Sequence, residues 1–251
     1  MIIAVATLSG GVSCSPHSLA VSAEECFPNA RGPNARGPTA ESIATAPVQL
    51  AACRSVAHIG DSLTAYVVAP LKAAYAAVGV KAEVDAYGGR AILQKLSADP
   101  KTGRQAAVDL VRAGFKGCWV VALGSNDTAN VAVGAAYSRS HAIDEMMKAI
   151  DPSAEARVVW VNAFTTKASG PWSNENMKLW NGELEKARER WPNLEVFDWA
   201  SVAATGVAPY DDGIHHTKEG YEVRNKVGVR DQDNTYPVGD FNPAGKIVLL
   251  S

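Results

Sequence analysis

The sequence has little that would draw it to a polyanion or hold it in a bilayer. Its 24 Lys and Arg residues are matched by 26 Asp and Glu, a formal net charge of −2. No local basic cluster breaks that balance, so nucleic acid and anionic membrane surfaces are poor candidate partners. No stretch reaches the roughly 20 apolar residues that a membrane span requires. Cysteine is scarce, at four residues (Cys14, Cys26, Cys53 and Cys118). Neither a CxxC pair nor a Cys/His cluster at zinc spacing occurs, which argues against a structural or catalytic metal. What remains is a small or neutral substrate.

Apolar material is plentiful: 47% of the 251 residues are hydrophobic and 20% charged. That is enough to bury a substantial core in one α/β domain and too little for two large ones.

Residues 1–23 read as a signal or lipoprotein segment. A short apolar run, Ile2 to Leu8, has no Lys or Arg before it, and "AVSA", ending at Ala23, offers the small residues signal peptidase requires. Lipid attachment at Cys14 is the alternative, although Gly11 stands where a lipobox usually has Leu. Either implies a secreted or cell-envelope protein. Residues 24–52 form a Pro/Gly-rich strap in which "NARGP" occurs twice in succession, too short a repeat for a solenoid. Cys53 lies just before the first strand of the next region and Cys118 opens a later one, so the two can bridge if those strands are neighbours. Cleavage after Ala23 would remove Cys14 and leave Cys26 unpaired.

From Cys53 to residue 223 strands alternate with helices. Val56–Ile59 reads as a buried strand, and Thr64–Ala77 as a helix that Pro70 can kink. Lys81–Ala86 is a second strand and Gln105–Ala113 a second helix. "CWVVAL", Cys118–Leu123, is apolar throughout, as a central parallel strand should be. "RSHAIDEMMKAI" is helical, and Arg157–Asn162 makes a fourth strand. Ser173 caps a long helix closed by Pro192, and Leu194–Phe197 is the fifth strand. This alternation predicts an open, mostly parallel sheet with helices on both faces, its functional residues lying beyond the C-terminal strand ends. After Tyr221, Gly, Pro and Asn recur, and residues 224–251 read as an irregular extension ending in a short strand within "KIVLL".

Three polar groups fall at strand ends: "GDSLT" after the first, "GSNDT" after the third and "DDGIHHTKEGY" after the fifth. Together they suit acyl transfer through serine. Ser62 would be the nucleophile and His215 the base that takes its proton, with Asp212 fixing the imidazole tautomer. Gly213 supplies the bend that lets Asp212 meet His215. The backbone N–H groups of Ser62 and Gly89 and the Asn126 side-chain amide would receive the negative oxygen of the tetrahedral intermediate, with Gly88 adjacent to Gly89 in "YGGRA".

Blander roles compete at each position. Ser62 can cap a helix and Asn126 can close a turn; His216 and Asp211 rival His215 and Asp212. Asp61 more readily braces the nucleophile turn than serves as the acid, and His58 fits an interior position. His17 and His141 lack chemical neighbours. Trp160, Phe164 and Trp172 can wall a pocket, Trp172 ahead of the other two.

Taken in order, "GDSLT", "YGGRA", "GSND" and "DGIH" resemble the sequence blocks of the SGNH hydrolase family, also called the GDSL esterase/lipase family, over roughly Arg54 to Tyr221. The resemblance implies a flavodoxin-like three-layer α/β/α sandwich with a five-stranded, mostly parallel sheet. It gives Ser62, His215 and Asp212 the triad roles and Ser62, Gly89 and Asn126 the oxyanion hole, with no cofactor. An acylated small molecule or carbohydrate is the implied substrate, acted on by an esterase or by an envelope-glycan O-acyltransferase. The alternative from another class is a non-catalytic binding or structural protein on the same scaffold.

Overall fold

In the computed structural model, residues 53–95 and 101–227 are described, together with two short strands at 47–49 and 248–250. In chain order, β1 (Pro47–Gln49) pairs antiparallel with the last strand, β7 (Val248–Leu250). The strand expected within "KIVLL" therefore has its partner in the strap. The leader segment, Cys14, Cys26, the "NARGP" repeat and most of the C-terminal extension lie outside the described residues.

The main sheet contains β2 (Ser55–Gly60), β3 (Lys81–Ala86), β4 (Cys118–Ala122), β5 (Val158–Val161) and β6 (Leu194–Phe197). Their spatial order is β3-β2-β4-β5-β6, and every neighbouring pair is parallel. Alternation along these strands explains the layers. Ala57, Ile59, Trp119, Val121, Val158 and Trp160 face one side, and Val56, Val120 and Val159 face the other, all buried.

Each face is covered by helices. On the first lie α3 (Gly103–Arg112), α5 (Arg139–Ile150) and α6 (Asn174–Arg190), which contribute Ala106, Ile143, Met147, Trp180 and Leu184 to that core. On the second lie α2 (Val68–Ala77), α7 (Trp199–Ala204) and α8 (Lys218–Val227), bringing Tyr75, Trp199 and Val223. The expected α/β/α sandwich is the observed one, and its sheet is wholly parallel.

Local chemistry sets most boundaries. Thr102, Ser138 and Ser173 cap α3, α5 and α6, each side chain accepting a backbone N–H of the first turn. The expected helix over Thr64–Ala77 is two: α1 (Ser62–Ala65) ends before α2 begins, and Pro70 sits in the first turn of α2, where its missing N–H costs no helical bond. A further difference concerns the C-terminal boundary. The region after Tyr221 continues as α8 to Val227, so the irregular extension does not start at residue 224. Gly220 and the brevity of the apolar pattern conceal this helix in the sequence.

Cys53 and Cys118 form a disulfide with a Cα–Cα distance of 5.8 Å. It joins the N-terminal ends of the neighbouring strands β2 and β4, where their register pairs Val56 with Cys118.

Candidate active site

The order of strand addition reverses between β2 and β4: the chain runs from β2 outward to the edge strand β3, then crosses back to β4 on the other side of β2. In open parallel sheets such a switch point leaves a crevice beyond the strand ends. Ser62 follows β2 and Asn126 follows β4, so both border it.

Asp61 caps α1, its Oδ1 accepting the Leu63 N–H at 3.0 Å. It braces the turn, as its position beside Ser62 led one to expect. Ser62 is the first residue of α1, and its N–H is one of the amides that a helix start leaves without an intrahelical acceptor. Burial raises the Asp61 carboxyl to about 6, against the opposing attraction of Arg224. Arg224, on α8, donates from Nη1 to the Leu63 carbonyl at 3.0 Å and lies 5.8 Å from the centre of the Trp199 ring. The sequence offered no signal for this contact, because α8 itself was not apparent.

The loop between α7 and α8 carries Asp212 and His215 together with their rivals Asp211 and His216. Tyr210 and His216 form an antiparallel bridge, and the Asp211 N–H donates to the His215 carbonyl at 2.9 Å, closing a tight turn. Gly213, at φ +83°, takes the left-handed conformation the turn needs. Its carbonyl accepts the Thr166 N–H at 2.9 Å, which ties the loop to the segment after β5.

Within this turn Asp212 Oδ2 lies 2.8 Å from His215 Nδ1, and His215 Nε2 lies 2.9 Å from Ser62 Oγ. An ionised carboxylate can only accept, so Nδ1 carries the proton and Nε2 is left to accept from the serine hydroxyl. Asp212 Oδ1 also takes the backbone N–H groups of Ile214 and His215, at 2.8 and 2.7 Å. Burial acts to raise this carboxyl, but the His215 ring and the two backbone bonds outweigh it and hold it below the usual carboxylate range.

The rival assignments separate clearly. His216 is buried among Trp199, Tyr210 and Tyr221, with Nδ1 3.3 Å from the Pro209 carbonyl oxygen. His58 is interior, its Nδ1 3.1 Å from the Tyr75 hydroxyl. Trp160 is a core residue whose indole donates to the Leu123 carbonyl at 2.8 Å. Phe164 packs with Tyr210, their rings 5.9 Å apart.

Asn126 lies in α4 (Ser125–Ala132), in place of the loop turn that "GSND" also suggested. Its Nδ2 donates to the Arg90 carbonyl at 3.0 Å, and its Oδ1 accepts the Trp172 indole N–H at 3.3 Å. Gly89, immediately before Arg90, has φ +74°, whereas Gly88 is not in the left-handed region. The turn after β3 is held from below: Asp127 Oδ1 accepts the Ile92 N–H at 2.8 Å, and Arg90 donates to the Asp85 carbonyl and carboxylate, each at 2.9 Å. Burial raises the Asp127 carboxyl to about 7.

At the rim, the Tyr66 ring is 68% exposed and meets the His215 ring edge-on at 5.7 Å. Among the described residues no group of three or more His, Cys, Asp or Glu side chains is placed to hold a metal ion.

No protein-family model and no curated protein matches the sequence. Solved structures do match the fold. The C-terminal catalytic domain of a Streptococcus pneumoniae peptidoglycan O-acetyltransferase, carrying a methylsulfonyl adduct, is 15% identical, with a TM-score of 0.51 over 69% of this chain and 90% of that one. An acetyl xylan esterase from Geobacillus stearothermophilus is 16% identical, with a TM-score of 0.51 over 69% of this chain and 91% of its own. A GDSL-like lipase from Bacteroides thetaiotaomicron is 15% identical, with a TM-score of 0.50 over 68% and 84%. The chain has the SGNH hydrolase fold, that of the GDSL esterases and lipases.

Proposed function

We propose that the protein is a serine esterase that removes small acyl groups, of the acetyl type, from a carbohydrate or cell-envelope substrate. The observation that carries this reading is the hydrogen-bonded series from Asp212 through His215 to Ser62, assembled from two distant parts of the sequence at the sheet's switch point. A binding protein has no physical need for a serine, an imidazole and a carboxylate in this order, and that counts against the non-catalytic alternative.

In the mechanism, Ser62 Oγ attacks the ester carbonyl carbon as its proton passes to His215 Nε2. The carbonyl oxygen becomes an oxyanion, received by the N–H groups of Ser62 and Gly89 and by Asn126 Nδ2. Collapse breaks the bond to the alcohol oxygen, which leaves with the proton from His215. A water molecule, deprotonated by His215, then attacks the acyl-serine, and a second collapse releases the acid and restores the Ser62 hydroxyl. Asp212 keeps the Nδ1 proton in place and stabilises the imidazolium between steps.

The exposed Tyr66 ring supports a sugar as the alcohol portion, since an aromatic face suits the apolar face of a pyranose. The two acetyl-transferring or acetyl-removing neighbours act on glycans by their names, which agrees with that choice. A second reading, O-acyl transfer to a glycan hydroxyl, uses the same residues up to the acyl-serine and draws on the peptidoglycan O-acetyltransferase likeness. The Cys53–Cys118 bridge fits an oxidising location outside the cytoplasm, in line with a secreted or envelope protein.

The test is hydrolysis of p-nitrophenyl acetate and butyrate by the protein and by Ser62→Ala, with intact mass recorded after brief exposure. Turnover and a transient acyl adduct that both require Ser62 are expected. A folded protein with neither would sink the esterase reading. Adding acetyl acceptors such as xylo-oligosaccharide or peptidoglycan fragments separates the two readings, because a transferase gives acetylated sugar faster than free acetate.

A further inference from the structure

A primary amide can be gripped at both ends, and Asn126 is. Its Nδ2 faces the Arg90 carbonyl, which can only accept, and its Oδ1 faces the Trp172 indole N–H, which can only donate. These two partners fix which end of the amide is nitrogen. They occupy the oxygen and one of the two N–H bonds, leaving the second N–H to point elsewhere. Asn126 is buried, so losing either partner would strand a polar atom away from water.

The indole is itself held in place. The Trp172 carbonyl accepts the Thr165 hydroxyl at 2.7 Å. The next residue, Ser173, is buried, caps the seventeen-residue helix α6 and donates its N–H to the Gly170 carbonyl at 3.0 Å. The Trp172 ring packs against the larger hydrophobic core while remaining partly exposed. Its N–H is thus presented to Asn126 from the fixed start of a long helix.

From this geometry we infer that Trp172 is a positioning residue: its indole N–H pins and polarises the Asn126 amide so that the free N–H is directed at the developing oxyanion. The inference rests on the esterase reading for its catalytic meaning. Without the indole, the amide pivots about the single bond to Arg90. Donation into Oδ1 also shifts electron density from the amide nitrogen, making the remaining N–H a stronger donor, as chained hydrogen bonds do.

The test combines a double-mutant cycle with a spectrum. Trp172→Phe keeps the ring and removes the N–H; Asn126→Ala removes the amide. With p-nitrophenyl acetate, Asn126→Ala is expected to lower kcat on the order of 100-fold, the usual loss for one oxyanion donor. Trp172→Phe should lower it about tenfold with KM changed less than about twofold, since only part of that donor's effect is lost. The double variant should be no slower than Asn126→Ala, because the indole acts only through the amide. In the substrate-free protein, the side-chain amide 1H–15N pair that disappears in Asn126→Ala should shift and broaden in Trp172→Phe. Losses that multiply in the double variant, or an unmoved amide pair, overturn the inference even when turnover is normal. Absence of Ser62-dependent turnover in the unmodified protein is a different result, which overturns the esterase reading and with it the catalytic role given to Trp172.

Discussion

Asp212 illustrates how one side chain can serve two purposes through its two oxygens. Oδ1 holds the turn by taking the N–H groups of Ile214 and His215, while Oδ2 faces the imidazole. Asp212→Asn separates them. Asparagine keeps an acceptor for the two backbone donors, but presents an NH2 donor to Nδ1, which then has to accept; the ring proton moves to Nε2, where it can no longer take a proton from Ser62. A loss in kcat on the order of 10³ to 10⁴ is expected, with the thermal midpoint little changed. Asp212→Ala should also loosen the turn and lower the midpoint, and equal midpoints for the two variants would contradict the double role.

At the level of elements, the disulfide and the candidate site lie at opposite ends of the same two strands. Cys53 and Cys118 join β2 and β4 at their beginnings, and Ser62 and Asn126 follow their ends. Replacing both cysteines by alanine should therefore cost about 2–4 kcal/mol of stability, through the freedom regained by the unfolded chain, and leave kcat at 25 °C within about twofold of the parent. Thermal unfolding and initial rates check the two halves separately; a large fall in kcat in a still-folded variant would show that the bridge acts on the site. The same strands were the most legible part of the sequence, because alternating or continuous apolar side chains have few alternatives to a central strand. Ser173 announced its helix for the same kind of local reason, whereas the Thr102 cap set a start two residues before the expected Gln105. Elements held by distant partners were not readable: α7 is short, α4 begins with residues that equally suit a turn, and α8 depends on packing against α2 and the core. The triad candidates could be named because serine, histidine and aspartate each carry a distinct chemistry. The Trp172–Asn126 bond could not, since nothing local brings the segment after β5 to the start of α4.

Across the whole molecule, the interior contains ionisable groups that favour opposite ends of the pH scale. Burial, aided by Arg224, lowers His58 to about 3 and His216 to about 4. Each depressed histidine contributes stability that is present above its unfolded value near 6.5 and is lost as pH falls toward its folded value. Asp61 and Asp127, raised by burial to about 6 and about 7, act in the other direction: their contribution is complete below the unfolded value near 3.8 and is lost as pH rises through the folded values. Between about pH 4 and 6.5 the two sets oppose one another. His58→Gln, which cannot be protonated and can still bond Tyr75, tests one side of this balance. The gap in thermal midpoint between the parent and the variant should be wider at pH 7 than at pH 4.5; a gap independent of pH would mean that His58 is not held neutral by its burial.

The order in which the polypeptide is synthesised gives the bridge another meaning. Cys53 and Cys118 enclose β2, β3 and the residue that would attack the substrate, whereas the imidazole that would activate it arrives only with the segment before the last helix of the sandwich. If the protein is exported as proposed, the bridge can close while the candidate serine still has no histidine beside it. On the proposed esterase reading, Ser62 gains its proton acceptor only when the segment before α8 is in place, and a molecule clipped before His215 would lack it.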